Sequence, residues 1–377
     1  MQKERQNGLR TWIEVSKDRL RGNYRLFRSL VPRESKLMAV VKSNAYGHGL
    51  VDFSKAAARL GADWLGVDSV VEGLALRKEG VRIPILVMGY TLPEMLPAAR
   101  RANIVITVSS FEALREAARG PKGLRIHLKI DSGMHRQGFL LSDLGRVRRE
   151  LKKLKGRLAL EGLYTHFAAA KNPAFPDYTR RQLEVFGEWR AVLARDRHLL
   201  LHHAAATGAA LLFPETHLDM VRIGAGFYGL WPSPETRAAL EERIKLRPIL
   251  SWKTTIAELK EVEGGAAVGY DLTERLRRSS KLAVVPVGYW HGLPRSLSSV
   301  GYMSVRGKRA RIVSRISMGM TILDVTNIAG VRVGDEVVVL GNDGKTDPSA
   351  DELARLADTI PYEIVARINP LIKKFYI

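Results

Sequence analysis

Residues 37–60 read LMAVVKSNAYGHGLVDFSKAAARL. The stretch opens on a short apolar run at 37–41, passes through a lysine and a glycine-containing turn, and continues from 53 with apolar residues at helical spacing. A strand followed closely by a helix is one unit of an α/β fold. Outward from this unit the alternation recurs. Apolar, β-branched runs at 64–68, 84–88, 103–107, 124–130, 158–164, 199–204 and 220–223 make eight candidate strands together with 37–41. Helix-compatible segments lie between them at 53–60, 70–78, 110–119, 142–154 and 180–194, with Ser or Asp ahead as N-caps. Eight such alternations over about 220 residues predict an α/β fold built on an N-terminal (β/α)8 barrel.

The pattern changes after 243. Segments 251–259, 282–287, 302–305, 311–316, 320–325 and 335–340 read as strands separated by turn residues, notably Gly264-Gly265 and Asn342-Asp343-Gly344. One helix is expected at 349–358, where Ser349 can cap and Glu352 lies three residues on. The expected domains are 1–243, the barrel, and 244–377, mostly β.

The chain has 377 residues, about two and a half times a typical domain length. It contains no cysteine, which excludes disulfide scaffolds, thiolate metal sites and a Cys nucleophile. The first fifteen residues alternate charged and apolar side chains unlike a signal peptide, and no uninterrupted apolar run reaches about 18 residues. A cytoplasmic protein with no membrane partner is expected. Lys and Arg number 60 against 39 Asp and Glu, a formal charge of +21, which raises nucleic-acid binding as a function. The densest basic stretch, RRELKKLK at 148–155, places Leu151 and Leu154 on one helical face and reads as a solvated amphipathic helix. The other clusters, such as Arg277-Arg278 and Lys308-Arg309-Arg311, are scattered and lack interleaved aromatics. Nucleic acid is therefore not the expected partner.

A barrel works at the C-terminal ends of its strands. There the sequence places Lys42, Lys129 followed by DSGMHRQG, Thr165-His166, Thr207, and Arg222 followed by Gly224 and Gly226. The loops after strands seven and eight, which commonly bind phosphate in barrels, supply a hydroxyl and glycine-rich backbone. Lys42 leaves a buried strand, and desolvation lowers a lysine pKa, as a Schiff-base nucleophile or a carbon base requires. The plain alternative is a strand-end lysine reaching solvent. His202 and His203 are adjacent on a strand and point to opposite faces, so they cannot chelate together, and no metal site is expected. His135 and His198 read as surface or local structural residues.

AVVKSNAYGHG at 39–49 resembles the pyridoxal-phosphate lysine segment of the alanine racemases, a fold-type III family. The resemblance extends in the family's order through KIDSGMHRQGF at 129–139, GLYTHFAAA at 162–170, FPETHLDMVRIGAGFYGLWPS at 213–233, AVGYD at 267–271, VGYWHGLPR at 287–295, RISMG at 315–319 and PYEI at 361–364. It implies a barrel with a β-rich C-terminal domain, pyridoxal 5'-phosphate as cofactor, and interconversion of L- and D-alanine to supply D-alanine for peptidoglycan.

The cofactor, joined to an amino acid as an imine, acidifies the Cα hydrogen, and racemisation then needs a base on each face. The resemblance supplies Lys42 for the D face and Tyr270 for the L face. A tyrosine with an ordinary pKa of about 10 needs neighbouring cations or donors to act as a base, and His166 and Arg222 are implied in that role. Arg222, an obligate donor, would face the pyridine nitrogen and leave it unprotonated. Tyr46, Thr207, the Gly224 and Ala225 backbone and Tyr362 are implied for the phosphate. Arg136 and the Met318 backbone N–H are implied for the substrate carboxylate. Lys129 matches a position carbamylated in many members, where the resulting anion would orient Arg136. The resemblance also implies a homodimer with shared sites, Tyr270 and Met318 coming from the partner chain.

Three positions depart from the family pattern: Gly319 stands where aspartate is expected, Ala206 where asparagine is common, and His291 where aspartate is customary. Losing a carboxylate at 319 bears on pocket size and acid/base tuning. It leaves two further readings beside alanine racemisation: a racemase of broader, serine or basic amino-acid specificity, and a cofactor-binding protein with little turnover.

Overall fold

The computed structural model describes residues 8–194, 200–341 and 346–377. The chain forms two compact units, one comprising residues 20–45 and 50–246, the other residues 8–19, 46–49 and 247–377.

In the first unit the eight expected strands are Lys36–Val40, Trp64–Val67, Ile85–Val87, Val105–Val108, Leu124–Lys129, Leu158–Tyr164, Leu201–His203 and Met220–Ile223. All neighbours run parallel, and the first strand pairs with the eighth from Lys36↔Met220 to Ala39↔Ile223. The remaining gap, between strands seven and eight, is bridged by Arg222 N–H to Ala205 O at 3.0 Å and Asp219 N–H to His202 O at 3.1 Å, giving a nearly closed barrel. The seventh strand had been expected from 199, which lies outside the described residues, as does His198. Met38, Trp64, Leu86, Val105 and Met220, from five different strands, form one buried apolar layer inside it.

Two of the surrounding helices start where a side chain satisfies one of their first N–H groups. Ser69 accepts from Glu72 N–H ahead of helix Val70–Lys78, and Ser110 from Ala113 N–H ahead of Phe111–Arg119. Helix Pro176–Ala194 begins earlier than the apolar spacing indicated, with proline in its first position. The basic stretch at 148–155 lies largely on helix Leu144–Lys153, which buries Val147 and Leu151, the latter as expected.

The second unit is a nine-stranded sheet in the order Glu258–Val262, Ser280–Val285, Thr321–Asp324, Lys308–Val313, Tyr302–Val305, Glu336–Leu340, Leu250–Thr255, Thr11–Val15 and Lys374–Tyr376. Every pairing is antiparallel except the last, where Ile13 faces Lys374 in a parallel pair. The expected strand at 251–259 is two strands that lie far apart in the sheet, and the strands at both chain ends had not been anticipated. Residues 8–19 thus belong with the β-rich unit, so the division of the structure is not a single cut at 243. The expected helix at 349–358 is Ala350–Leu356, capped by Ser349 Oγ accepting Glu352 N–H at 3.1 Å. The turn at 342–344 lies outside the described residues.

Candidate active site

Lys42 follows the first barrel strand and is half-buried. What comes next is unusual: Ser43, Asn44, Ala45 and Tyr46 all have φ between 51° and 56°. A left-handed backbone costs non-glycine residues about 1–2 kcal/mol each, so four in succession must be held from outside. Glu72 does much of the holding. Its Oε1 accepts Ser43 N–H at 2.8 Å and Asn44 N–H at 3.4 Å, and its Oε2 accepts Asp68 N–H at 2.8 Å. Asn44 Oδ1 accepts Leu50 N–H at 2.9 Å. Sequence reading missed Glu72, because its partner segment lies 29 residues away.

Five sequence-nominated residues gather at the ends of the barrel strands. Lys129, Arg136 and His166 line one cleft, and the charges of Lys42 and Arg222 are felt there as well. Burial, then Arg136, Arg222 and Lys42, pushes the Lys129 amine down to about 8. Its Nζ donates to Gln137 Oε1 at 2.9 Å. Burial and the same cations hold the His166 pKa at about 3, so this imidazole is neutral and can act as a donor but not as a cation. Arg136 is set by Asp131, whose Oδ2 accepts its N–H while Oδ1 accepts those of Gly133, Met134 and His135. Asp131 too was missed by sequence reading; Asx-type turns leave no distinctive spacing.

Arg222 is 1% exposed. Its Nη1 donates to His203 Nδ1 at 2.9 Å, and its Nη2 donates to Thr165 O and Ala204 O, both at 2.8 Å. The histidine hydrogen-bonded to this arginine is therefore His203, and His202 points away to Asp219 at 2.9 Å. Arg222 Nε has no hydrogen-bond partner among the described residues. A buried donor of this kind needs an acceptor from elsewhere, such as an unprotonated ring nitrogen. The arginine also fixes tautomers: His203 Nδ1 must accept, so its Nε2 carries the hydrogen and donates to His127 Nδ1 at 3.0 Å. Thr207, at the start of helix Thr207–Leu212, accepts Gly224 N–H at 3.2 Å and Gly226 N–H at 3.3 Å through Oγ1. Ala225, next to Gly224, is buried. A hydroxyl and adjacent backbone amides suit a phosphate.

The remaining nominated residues belong to the second unit. The Tyr46 and Tyr362 rings meet edge to face at 6.1 Å, and burial raises both phenols. Tyr270 is 63% exposed, at the tip of a hairpin in which Ala267–Val268 pairs with Glu274–Arg275. Met318 is also exposed, and its carbonyl accepts Trp290 N–H at 2.9 Å. The departures have local accounts. His291 Nδ1 accepts Gly288 N–H at 3.1 Å, the work an aspartate would do in that turn. Ala206 leaves the following helix without a side-chain cap. A Cβ at Gly319 would meet nothing within 4 Å.

The alanine racemase N-terminal and C-terminal domain families match residues 15–232 and 249–376. Among curated relatives, an alanine racemase of Symbiobacterium thermophilum is 41% identical over 98% of both chains, and one of Leptospira interrogans is 39% identical over 97% of this chain and 96% of its own. Among solved structures, the Bacillus anthracis alanine racemase with bound L-Ala-P superposes with a TM-score of 0.90 at 34% identity, covering 98% of this chain and 95% of that one. The enzyme from Streptomyces lavendulae superposes with a TM-score of 0.89 at 35% identity, covering 98% and 97%. By sequence over nearly its whole length and by architecture, this chain belongs to the alanine racemase family.

Proposed function

We propose that the chain interconverts L- and D-alanine with pyridoxal 5'-phosphate, through Lys42 and Tyr270 acting on opposite faces of the substrate, and so supplies D-alanine for peptidoglycan. The observation that carries the cofactor assignment is the buried, unpartnered Nε of Arg222. When bound, the cofactor supplies an electron-withdrawing ring that acidifies the substrate Cα hydrogen. Arg222 would hold the ring nitrogen as a donor and leave it unprotonated, since a guanidinium is an obligate donor. Thr207, the Gly224 and Ala225 amides, Tyr46 and Tyr362 bind the phosphate. Arg136 and the Met318 N–H receive the substrate carboxylate.

Lys42 holds and returns the hydrogen on the D face, and Tyr270 does so on the L face. His166 contributes as a neutral donor. Lys129, whose amine is pushed down to about 8, has a neutral fraction able to take up carbon dioxide as a carbamate that orients Arg136. Tyr270 and Met318 act in the site of a second copy. Their exposure, together with that of Leu272, Tyr289, Trp290 and Met320 in the same unit, supports a homodimer whose second copy covers them.

The test is D-alanine formation from L-alanine by the purified protein supplied with pyridoxal phosphate. Lys42→Ala is expected to abolish the visible absorbance of bound cofactor. Tyr270→Phe is expected to retain that absorbance and to lose racemisation from L-alanine by at least about a hundredfold. Normal turnover in either variant overturns the assignment. Gly319, standing where the family pattern has a carboxylate, leaves one second reading, a racemase of broader, serine or basic amino-acid specificity. Comparing turnover of alanine, serine and lysine separates the two.

A further inference from the structure

Tyr270 rides on a hairpin of only two residue pairs, Ala267↔Arg275 and Val268↔Glu274. So short a ribbon does not hold its shape in water without outside support. Its base has an apolar anchor, since Val268 and Leu276 pack with Leu282 and Val313 in a buried cluster. Its tip, where Tyr270 sits, has no such anchor. The backbone there is left-handed at two non-glycine residues, Asp271 and Leu272, with φ of 60° and 52°, following Gly269 at 74°. The segment opposite, 311–315, is also left-handed at Ser314, φ 64°.

Polar contacts join the two segments. Arg315 Nε lies 3.0 Å from Asp271 Oδ2, an ion pair without hydrogen-bond alignment. Arg311 reaches Glu274 with both terminal nitrogens, at 3.3 and 3.0 Å, and Ser299 Oγ donates to the same carboxylate at 3.1 Å. The Arg311 hydrogen bond, assisted by Arg311 charge, Ser299 and the Ser314 N–H, holds the Glu274 carboxyl below its ordinary range despite partial burial. Between these pairs a Cβ at Gly269 would fall 2.2 Å from Ser314 Oγ, so the Ser314 side chain packs directly against the Gly269 backbone.

We propose that Asp271 and Arg315, with Glu274 and Arg311 behind them, form a clamp that sets the position of Tyr270 and thereby the rate of hydrogen exchange on the L face of the substrate. The proposal rests on the two-base reading above. Asp271 and Arg315 are positioning residues, acting through the tip of the hairpin. A single exposed ion pair contributes little to global stability, yet displacing an acid/base group by about 1 Å costs up to a hundredfold in rate. The clamp therefore affects one chemical step much more than it affects folding.

The test uses the cofactor-loaded enzyme in D2O, following deuterium incorporation at Cα of each alanine enantiomer by NMR, alongside racemisation. Asp271→Asn removes the charge while keeping a residue that tolerates left-handed φ. It and Arg315→Ala are each expected to slow L-alanine exchange about tenfold or more, the double variant to be no slower than the singles, and Arg315→Lys to restore most of the rate. D-alanine exchange with retention, the work of Lys42, is expected to stay within about twofold of wild type. In cofactor-free protein the amides of 269–273 are expected to exchange several-fold faster in Asp271→Asn, a readout independent of turnover. Unchanged L-face rates in both variants, or equal losses on both faces, overturn the clamp alone. A wild-type enzyme that exchanges neither enantiomer overturns the racemase reading and the clamp with it.

Discussion

A carboxylate that accepts three backbone N–H groups, as Glu72 does, is a strong local organiser, because hydrogen bonds to a charged acceptor contribute about 1.5–3 kcal/mol each. Glu72 is set against a run of four left-handed residues immediately after Lys42. Replacing it by Ala is expected to lower stability by roughly 2 kcal/mol. The same change is expected to weaken retention of pyridoxal phosphate about tenfold, since the turn links Lys42 to Tyr46, both proposed above to hold it. Denaturant titration and absorbance titration with the cofactor check the two parts separately; full retention in Glu72→Ala removes the turn from the account. Neither Glu72 nor the turn was legible in the sequence. Of Ser43, Asn44, Ala45 and Tyr46 only asparagine favours positive φ, and the carboxylate that makes the conformation tolerable belongs to helix Val70–Lys78, beyond the second barrel strand.

Barrel strands were legible because both faces of a parallel sheet are covered, so they read as continuous apolar runs. Thr11–Val15 and Lys374–Tyr376 were not: they carry Glu14 and Lys374, and their pairing joins residues more than 350 positions apart. The network inside the barrel was equally invisible, since His127, His203 and Arg222 come from strands five, seven and eight. Burial first, and then nearby arginines, hold His127 at about 3 and His203 well below 6.5. Both are neutral in the fold and protonate in the unfolded chain near 6.5; for His127 the stability contribution is fully present above pH 6.5 and is lost as pH falls toward 3, and His203 acts in the same direction. Between pH 6.5 and 5 His127 alone costs roughly 2 kcal/mol. Urea unfolding of the cofactor-free protein is therefore expected to show a falling midpoint across that window, with a shallower fall in His127→Gln. An unchanged slope in the variant assigns the acid sensitivity elsewhere, with His166 the next group to examine.

At the scale of the whole molecule, the proposal that each site draws Lys42 from one chain and Tyr270 from another makes a statement that no single-chain mechanism shares. Tyr270 stands exposed on the β-rich unit, where a base working in isolation would be solvated and imprecisely placed. Closed twofold symmetry gives a dimer two equivalent sites, each mixed in origin. Lys42→Ala and Tyr270→Phe are each expected to be nearly inactive as homodimers. Unfolding and refolding an equimolar mixture puts about half of the molecules into heterodimers, and each heterodimer has one site with both bases intact and one with neither. Recovery of about a quarter of wild-type racemisation follows from that arithmetic. If Lys42 and Tyr270 of the same chain served one site, every site in every dimer would lack one base, and mixing would restore nothing. The recovered activity, measured against protein concentration, thus decides whether the β-rich unit works for its own barrel or for its neighbour's.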